Sequence, residues 1–510
     1  PTRKDEGMSL LGIDIGTTGC KAVAFGQQGS LLAEAYREYD VQRPEPGWAE
    51  LDTQEVWAKV RACIRAVADQ TADDPVTALA ASSLGEALAP VDADRRILGP
   101  SLLNFDLRGQ DYLPELAAAI SDQALYRING NALGNHFSLP KLLWIQHNQP
   151  DLWSQARYWL PWGSLVGYLL GAEPAVDYSL ANRTLLFDLA SRDWSPELLA
   201  LGGIDGAVLP RPVPAGTRVG RVSPRRAAEL GLQPGVAIVT GAHDQCANAV
   251  GSGVLDEGSA MYGMGTYICI VPVFRQPQDP AVMLPRGLNT EHHAAPDRLV
   301  SFLYNHGGSL FKWYRDTFAP IERDRAKAAG RDIYTELIAE MPVEPSSVMS
   351  LPYFAPTGPP EFIADASGVI AGLRLETTRG DILKGVLEGA TYYLRECVEG
   401  LPAAGMQIDR FRAVGGGSKS DAWVQLSADI LGLPFEKPRI TEAGALGAAI
   451  LAGVGSGAFA SIQEGVDAMV AVERSYEPSR SAHAAYTERY HRYTELWSLL
   501  GGYLRRLHQV

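Results

Sequence analysis

The chain has 510 residues, of which 46% are hydrophobic and 20% are charged, a composition that builds large cores and excludes a disordered or fibrous protein. Its 45 Lys and Arg against 59 Asp and Glu leave a net charge of −14. That charge argues against nucleic acid as a partner, because a phosphate backbone is bound by clustered basic residues. Glycine is in excess, with 52 residues, and this predicts many turns or close backbone contacts.

The cysteines and the apolar segments indicate the compartment. Five cysteines are widely spread and form no CxxC pair, which is typical of a reducing cytosol rather than of a disulfide framework or a zinc site. Residues 443–462 carry no charge and are long enough to cross a bilayer, but their glycines predict a tightly packed helix and loop. Residues 1–9 are charged and lack the apolar core of a signal peptide. We therefore expect a soluble, cytoplasmic protein with no membrane partner.

The first half of the chain alternates strands with a helix. Short apolar runs bounded by turn residues predict strands, and an apolar period of 3.6 residues over 54–70 predicts a helix. The first three strands are joined by tight turns into a meander. The predicted strands of this half are residues 9–15, 20–25, 31–39, 76–82, 88–91 and 236–240.

The second half begins in a similar way. Residues 259–270 predict a strand, a Gly-Met-Gly-Thr turn and a second strand, much like the Gly-Thr-Thr-Gly hairpin near the N-terminus. This recurrence predicts two α/β domains, residues 8–253 and 254–510. The other elements predicted for this half are a strand at 410–414, helices at 421–431 and 442–451, and an amphipathic closing helix at 485–507.

A tight glycine turn follows the first strand. Gly16, Thr17, Thr18 and Gly19 present backbone N–H groups and two hydroxyls to one point, as anion-binding loops do. Asp14, at the end of the strand, can hold a metal ion or its waters beside the anion. An ordinary hairpin with a solvated Asp is the alternative. The segment is no Walker A loop, because it contains no GxxxxGK sequence.

An acidic residue follows the last predicted strand of the first half. Asp244 comes shortly after residues 236–240, and ligands of α/β proteins bind at the carboxyl ends of such strands. An Asp in that place can accept a proton from a substrate hydroxyl. It can equally cap the next helix, since Asp is a favoured N-cap residue.

Two more glycine runs lie in the second half. Residues 263–266 form a second cradle with a hydroxyl, and residues 415–418, Gly-Gly-Gly-Ser, would let a flat base approach the backbone. Each run alone is also consistent with a simple turn or a helix entry. Two cradles in two domains, with an acid near the boundary, predict a cleft that grips a nucleotide from both sides.

These motifs together resemble the FGGY carbohydrate kinases, a family within the actin-like ATPase superfamily. The matching segments run from Leu11 to about Gly453 and are residues 12–18 with Lys21, 46–52, 141–144, 241–245, 263–266, 414–418 and 445–449. The resemblance implies an α/β fold of two actin-like ATPase (ribonuclease H-like) domains with a nucleotide cleft between them. It also implies a kinase that uses ATP and Mg²⁺ to phosphorylate an alcohol group of a small sugar or polyol.

The resemblance further implies a role for individual residues. Asp244 matches the base that takes the proton from the substrate hydroxyl, and Asp14 matches the carboxylate that organises Mg²⁺. The residues that match the two phosphate loops and the adenosine site are Asp14, Gly16, Thr17, Thr18, Lys21, Gly265, Thr266, Gly308, Gly416, Gly417 and Ser420.

The substrate pocket departs from the relatives. Glu86 falls where glycerol kinases of the family carry an Arg-Glu pair and xylulose kinases a Met-His pair, but Gly85 stands in the place of the arginine. Gln245 resembles the amide of glycerol kinases, and His136 aligns with a tyrosine that contacts the polyol. An ion pair for Glu86 or Arg108 and a core hydrogen bond for His136 are the structural alternatives. The predicted substrate residues are Glu86, Asp106, Arg108, His136, Asp244 and Gln245.

The choice of substrate stays open at this level. Residues 359–362, Pro-Pro-Glu-Phe, lack the Glu-Arg-x-Pro of many relatives, which puts a specific xylulose assignment in doubt. We expect phosphorylation of a ketopentose such as xylulose or ribulose, by a protein that forms a homodimer. Glycerol, another polyol or a sugar acid is the alternative substrate, and a non-catalytic sugar-binding regulator on the same scaffold is the alternative from a different class.

Overall fold

The structure, a computed structural model, describes residues 8–508. Residues 1–7, which hold most of the charged N-terminal segment, and residues 509–510, the end of the second predicted domain, lie outside the described residues. The strands of the first half are β1 (Ser9–Ile15), β2 (Gly19–Phe25), β3 (Leu31–Glu38), β4 (Glu50–Leu51), β5 (Val76–Ser83), β6 (Leu88–Val91), β7 (Ser101–Leu102), β8 (Tyr158–Pro161), β9 (Ala175–Asp177), β10 (Phe187–Asp188), β11 (Asp193–Trp194), β12 (Arg211–Val213), β13 (Arg218–Arg221) and β14 (Ala237–His243). Its helices are α1 (Thr53–Gln70), α2 (Leu113–Ala119), α3 (Asp122–Asn129), α4 (Ser138–Asn148), α5 (Pro150–Gln155), α6 (Trp162–Leu170), α7 (Tyr178–Asn182), α8 (Pro196–Leu201), α9 (Pro224–Leu230) and α10 (Asp244–Gly251).

The second half contains fewer strands and longer helices. Its strands are β15 (Gly258–Met264), β16 (Tyr267–Phe274), β17 (Glu291–His292), β18 (Leu299–Val300), β19 (Leu303–His306), β20 (Met349–Leu351), β21 (Val369–Ala371), β22 (Ile408–Val414), β23 (Phe435–Pro438) and β24 (Val472–Tyr476). Its helices are α11 (Pro280–Met283), α12 (Gly308–Phe318), α13 (Pro320–Ala328), α14 (Ile333–Ala339), α15 (Arg379–Gly400), α16 (Asp421–Leu431), α17 (Ala443–Ser456), α18 (Ile462–Met469) and α19 (Arg480–His508).

The two halves contain sheets of the same design. The first sheet has six strands in the order β13-β14-β5-β1-β2-β3, in which β1, β2 and β3 form the predicted antiparallel meander and β1, β5 and β14 run parallel. In the second sheet β15, β16 and β19 form the meander, and β15, β22 and β23 run parallel. An antiparallel strand closes the parallel side of each sheet, β13 in the first and β24 in the second. The recurrence predicted from the two hairpins therefore extends over six strands of each sheet, and the second sheet also contains β17 and β18.

The predicted helices follow from caps and apolar periods. Asp52 caps α1 by accepting hydrogen bonds from the backbone N–H groups of Gln54 and Glu55 at 3.0 and 3.1 Å. The predicted apolar face of that helix is buried against the first sheet. At the other end of the chain, α19 buries Tyr486, Tyr490 and other residues in the core of the second half, as predicted for a packed closing helix.

The long uncharged stretch of the sequence is a helix buried between the two halves. It forms α17, which has 14 residues and packs on β1, β5 and β14 of the first sheet. The backbone of α17 also touches that of α10: a Cβ added at Gly447 would lie 1.9 Å from the Ala247 carbonyl oxygen, and one at Gly251 would lie 1.9 Å from that of Ala443. Only glycine allows such an approach. Within residues 8–508, no helix is long and apolar enough to cross a membrane.

Candidate active site

The first glycine turn lies between β1 and β2 and is fixed from within the protein. The backbone N–H of Gly16 donates to the Gly19 carbonyl oxygen at 2.9 Å, and the Tyr39 hydroxyl donates to the Gly16 carbonyl oxygen at 2.6 Å. Thr18, at the tip, is exposed. The turn is thus held rigidly by Tyr39 while its tip stays open to a ligand.

Asp14 is the next-to-last residue of β1 and lies beside the start of α17. The Ser82 hydroxyl donates to Asp14 Oδ1 at 3.1 Å, and a Cβ at Gly444 would lie 3.0 Å from Oδ2. Burial, with a smaller contribution from the negative charge of Glu442, raises the pKa of Asp14 to about 6. Lys21 pairs with Glu442 at 2.7 Å. A carboxylate that burial makes costly to ionise suits a divalent cation, since a cation stabilises its charged form.

Asp244 is the first residue of α10. The N-cap position belongs to His243, the last residue of β14, so the capping alternative for Asp244 is wrong. Burial, followed by the negative charges of Asp14 and Glu86, raises the pKa of Asp244 to about 7. Its Oδ1 is buried without a hydrogen bond to any described residue; His243 Nε2 lies 3.2 Å away but is not aligned for one. This carboxylate has an acceptor left for a ligand.

The second glycine turn lies between β15 and β16 and is joined to the start of α12. The backbone N–H of Gly308 donates to the Gly265 carbonyl oxygen and that of Ser309 to the Thr266 carbonyl oxygen, both at 3.0 Å. A Cβ at Gly308 would lie 2.5 Å from the Gly265 oxygen, which explains the glycine. Gly265 and Thr266 are exposed, so this turn, like the first, is fixed by hydrogen bonds to the rest of the protein while its tip is accessible to a ligand.

The triple-glycine run follows β22. Gly415 has a φ of +84°, a backbone conformation that favours glycine. Gly416 is exposed and has open space where a side chain would be, whereas Gly417 packs against Met264, to which a Cβ would lie 2.9 Å away. The Ser420 hydroxyl accepts from the Trp423 backbone N–H at 3.3 Å as the cap of α16. The free surface of this run is therefore backbone.

Glu86, Gln245 and His136 are polar residues of the predicted substrate pocket. Burial opposes ionisation of Glu86, but Arg183 and further neighbouring groups together outweigh it, and the pKa of Glu86 is lowered. Desolvation by the surrounding protein, followed by the positive charge of Arg183, lowers the pKa of His136 to about 4, so the ring is neutral; part of the residue is exposed. Gln245 makes no side-chain hydrogen bond within residues 8–508. These groups can accept and donate to a polyhydroxylated ligand.

Asp106 and Arg108 bond mainly to each other. Arg108 Nε lies 3.0 Å from both carboxylate oxygens of Asp106, and a second guanidinium nitrogen lies 2.6 Å from Glu50. The guanidinium carbon also lies 4.0 Å from the centre of the Trp48 ring. The Asn135 amide donates to the Asp106 carbonyl oxygen at 2.8 Å. This buried ion pair thus supports the turn that carries His136, and a direct sugar contact by either residue stays a prediction.

Two residues that the sequence did not reveal stand beside this pocket. Arg183 follows α7 and hydrogen-bonds both Glu86 and Glu291. Glu291 begins β17 in the second half and is fully buried. No motif marks either residue, and only folding brings positions 86, 183 and 291 together. No local sequence pattern could have predicted a buried arginine between these two acids.

The two α/β halves match, and each has a glycine turn fixed by hydrogen bonds. Asp14 lies near the end of β1, and Asp244 directly follows β14. This architecture defines a two-domain phosphotransferase with its nucleotide site between the halves. Comparison with known proteins gives the family. Residues 9–251 match the N-terminal domain of the FGGY family of carbohydrate kinases, and residues 260–456 match the C-terminal domain of that family. The chain belongs to the FGGY family of carbohydrate kinases.

Individual relatives agree over nearly the whole chain. Xylulose kinase from Staphylococcus epidermidis is 27% identical over 491 residues, covering 96% of each chain. Autoinducer-2 kinase from Salmonella paratyphi B is 29% identical over 506 residues, covering 96% of this chain and 93% of that protein. The crystal structure of xylulose kinase from Rhodospirillum rubrum matches with a TM-score of 0.85 at 27% identity, over 97% of this chain and 99% of that one.

These findings confirm the predicted family, fold class and activity. The protein is a carbohydrate kinase, a transferase with two actin-like ATPase domains, and its family uses ATP as the phosphate donor. The non-catalytic regulator is therefore wrong as an alternative. The domain division at residue 253 and the roles of the individual site residues stay predictions.

Proposed function

We propose that the protein transfers the terminal phosphoryl group of ATP to a hydroxyl of a ketopentose, with xylulose as the first candidate. The observation that carries this proposal is Asp244, whose buried Oδ1 has no hydrogen-bond partner among residues 8–508 and which lies close enough to Asp14 and Glu86 for their charges to raise its pKa. Xylulose kinases that align with 96% of this chain support the choice of sugar.

Asp244 is the proposed general base. A pKa raised to about 7 makes its carboxylate basic enough to take a proton while about half of it is ionised at neutral pH. The proton passes from the attacking sugar hydroxyl to Oδ2 or Oδ1 of Asp244 as that hydroxyl oxygen bonds to the γ-phosphorus and the bond to ADP breaks. In-line attack needs mainly positioning and charge stabilisation, which fixed side chains and backbone provide.

Asp14 and the two glycine turns are the proposed nucleotide machinery. Asp14 would hold Mg²⁺, which when bound offsets the charge of the phosphates. The backbone N–H groups of Gly16 and Gly265 and the hydroxyls of Thr17 and Thr266 orient the phosphate oxygens from both halves. Lys21, Gly308 and the exposed backbone at Gly416 complete the site, with Gly417 and Ser420 behind it.

The charges around the pocket favour a neutral substrate. Asp14, Glu86, Asp244 and Glu291 are acidic, whereas the neighbouring Arg183 is already bonded to two of them. A sugar acid would bring a further negative charge against these carboxylates, and the guanidinium of Arg183 is already shared between Glu86 and Glu291. A ketopentose or a polyol brings only hydroxyls, which Glu86, His136 and Gln245 can bind.

A polyol such as glycerol is the second candidate, and one observation favours it. The glycerol kinases of the family carry an arginine beside the glutamate that Glu86 matches, and here Arg183 supplies a guanidinium to Glu86 at 2.8 Å. The pocket therefore has the charge pair of a polyol site although position 85 is glycine.

A substrate panel tests the proposal. We expect ADP release with ATP and Mg²⁺ to be fastest with xylulose, slower with ribulose and glycerol, and absent with gluconate. Asp244→Asn on the same panel separates sugar-dependent release from background hydrolysis of ATP. Fastest turnover with gluconate would contradict the proposed substrate class, and fastest turnover with glycerol would select the second candidate. The predicted homodimer is tested by the mass of the particle in light scattering.

A further inference from the structure

Arg183 occupies the space that the missing side chain at position 85 would fill. A Cβ added at Gly85 would lie 3.2 Å from Arg183 Cγ and 3.2 Å from His243 Nε2. At these distances Arg183 or His243 would have to shift to admit a longer side chain at 85. The glycine at that position and the arginine at 183 are thus two parts of one arrangement.

The guanidinium of Arg183 is fixed on every side. Its Nε donates to Glu86 Oε1 at 2.8 Å, a second nitrogen bonds the same oxygen, and a third bonds Glu291 Oε1. Its carbon lies 4.9 Å from the centre of the Phe137 ring and 5.7 Å from that of Phe302. Only 11% of the side chain is exposed. A planar, multiply bonded guanidinium of this kind holds its partners in one geometry.

This arrangement leaves one oxygen of Glu86 for a ligand. Both bonds from Arg183 go to Oε1, and no side chain within residues 8–508 donates to Oε2. A carboxylate whose first oxygen is clamped presents its second oxygen in a fixed direction, and that oxygen can accept from a sugar hydroxyl. Arg183 itself is occupied by its two acids, so it acts on the substrate only through Glu86.

We propose that Arg183 is a positioning residue of the sugar pocket and orients Glu86 as the acceptor of one substrate hydroxyl. Arg183, which follows α7, supplies the guanidinium in place of an arginine at position 85. This inference rests on the proposed function. It names Glu86 Oε2 as the atom that recognises the hydroxyl. It also explains why the pocket tolerates glycine at 85, because the clamp on Glu86 comes from elsewhere in the chain.

The clamp also joins the two halves. Glu291, the second partner of Arg183, belongs to the second half and accepts a further hydrogen bond from the Asn289 amide at 2.8 Å. The orientation of Glu86 in the first half therefore depends on a carboxylate anchored in the other.

The test compares Arg183 variants in which the fully buried Glu291 is neutralised, and Glu86, which then also loses its partner, is neutralised in a third step. Removing Arg183 alone would leave Glu291 unpaired in the core, a change that can prevent folding. The main variant is therefore Arg183→Met combined with Glu291→Gln, measured against Glu291→Gln alone and against Arg183→Lys. Arg192→Met is the control, because Arg192 forms an exposed ion pair with Asp297 away from the pocket.

We expect the double variant to raise the KM for the sugar at least tenfold relative to Glu291→Gln, with the KM for ATP unchanged and kcat reduced less than the KM rises. Arg183→Lys should recover part of the loss. Adding Glu86→Gln to the double variant should cause little further change, because Arg183 acts through Glu86. One mono-deoxy sugar that wild type binds poorly should be bound by the double variant about as well as the parent sugar.

Two results would overturn the inference. If the double variant keeps the sugar KM and the deoxy-sugar penalty of Glu291→Gln, Arg183 does not position Glu86. If Glu86→Gln adds its full effect to the double variant, the two residues act independently. A wild-type protein that phosphorylates no sugar or polyol of the panel would instead overturn the proposed function, and this inference with it.

Discussion

The two sheets share one strand order, yet equivalent strands end in different residues. The next-to-last residue of β1 is Asp14, whereas that of β15 is Gly263. The turn after β5 leads to Glu86, whereas β22 leads into three consecutive glycines. The first half therefore places charged side chains where the second half leaves space. In the proposed function, the two copies of this scaffold have different tasks: acid–base and metal chemistry in the first half, and close backbone approach to the nucleotide in the second.

The strongest way to break this comparison is to remove the proposed base. Asp244→Asn should lower kcat roughly 10³-fold, since a positioned general base contributes about 10²–10⁴. The affinity for ATP should stay within about twofold, because Asp244 is not one of the residues proposed to bind the nucleotide. Steady-state kinetics and titration with nucleotide measure the two effects. Turnover near that of wild type would remove the chemical task assigned to the first half.

The contact between the halves offers a second test. Gly447→Ala should destabilise the protein by about 1–3 kcal/mol, the usual cost of overpacking, because the new methyl group would meet the Ala247 carbonyl oxygen at 1.9 Å. Gly400→Ala is the matched control, since no atom lies within 4 Å of the added Cβ. Denaturant unfolding measures both. Equal stability of the two variants would contradict the backbone contact between α10 and α17.

The raised pKa values make a prediction about stability and pH. Because the pKa of Asp14 is about 6 and that of Asp244 about 7, against 3.8 for an ordinary Asp, the folded state binds protons more tightly than the unfolded state. Their contribution to stability is complete below about pH 4 and is lost as the pH rises through 6 and 7. At pH 8 without metal or nucleotide, Asp244→Asn should therefore be more stable than wild type by about 1–2 kcal/mol.

Thermal unfolding between pH 5 and pH 8 measures this difference, which should shrink towards pH 5. The same experiment on Asp106→Asn is the contrast, because Asp106 is paired with Arg108 and should lose stability at both pH values. A stability gain for Asp244→Asn that did not depend on pH would contradict the ionisation as its cause.

The smallest expected effect sharpens the comparison of the two glycine turns. Thr17→Val and Thr266→Val should each lower kcat/KM for ATP about tenfold, the value of one hydrogen bond to a charged group. Similar losses would show that both halves grip the phosphates. A silent Thr266→Val would mean that the second turn contributes only its backbone.

Local signals predicted the elements that local chemistry decides. The helix α1 was predictable because Asp52 caps it and its apolar residues recur every turn, and the two glycine turns were predictable from glycines and hydroxyls between apolar runs. The helices α17 and α19 extend further than predicted, to Ser456 and from Arg480, because tertiary burial continues them beyond the clearest apolar period.

The parts that could not be predicted depend on long-range contacts. Arg183 reaches Glu86 across 97 positions and Glu291 across 108, and no pattern in a sequence records such a meeting. The same holds for Asp106 and Arg108, whose motif suggests a ligand site but whose charges are balanced by each other and by Glu50. A motif names residue types, whereas the fold decides which charges remain free.

The crossing of α10 and α17 has a mechanical consequence. Most helices pack through interdigitating side chains, but at Gly251 and Gly447 the backbones of α10 and α17 touch without side chains between them. The two helices cannot come closer than this backbone contact, and α17 is at the same time packed on β1, β5 and β14. Since α10 starts with Asp244 and α17 starts just after Glu442, the partner of Lys21, the contact at Gly251 and Gly447 sets the spacing between the starts of the two helices.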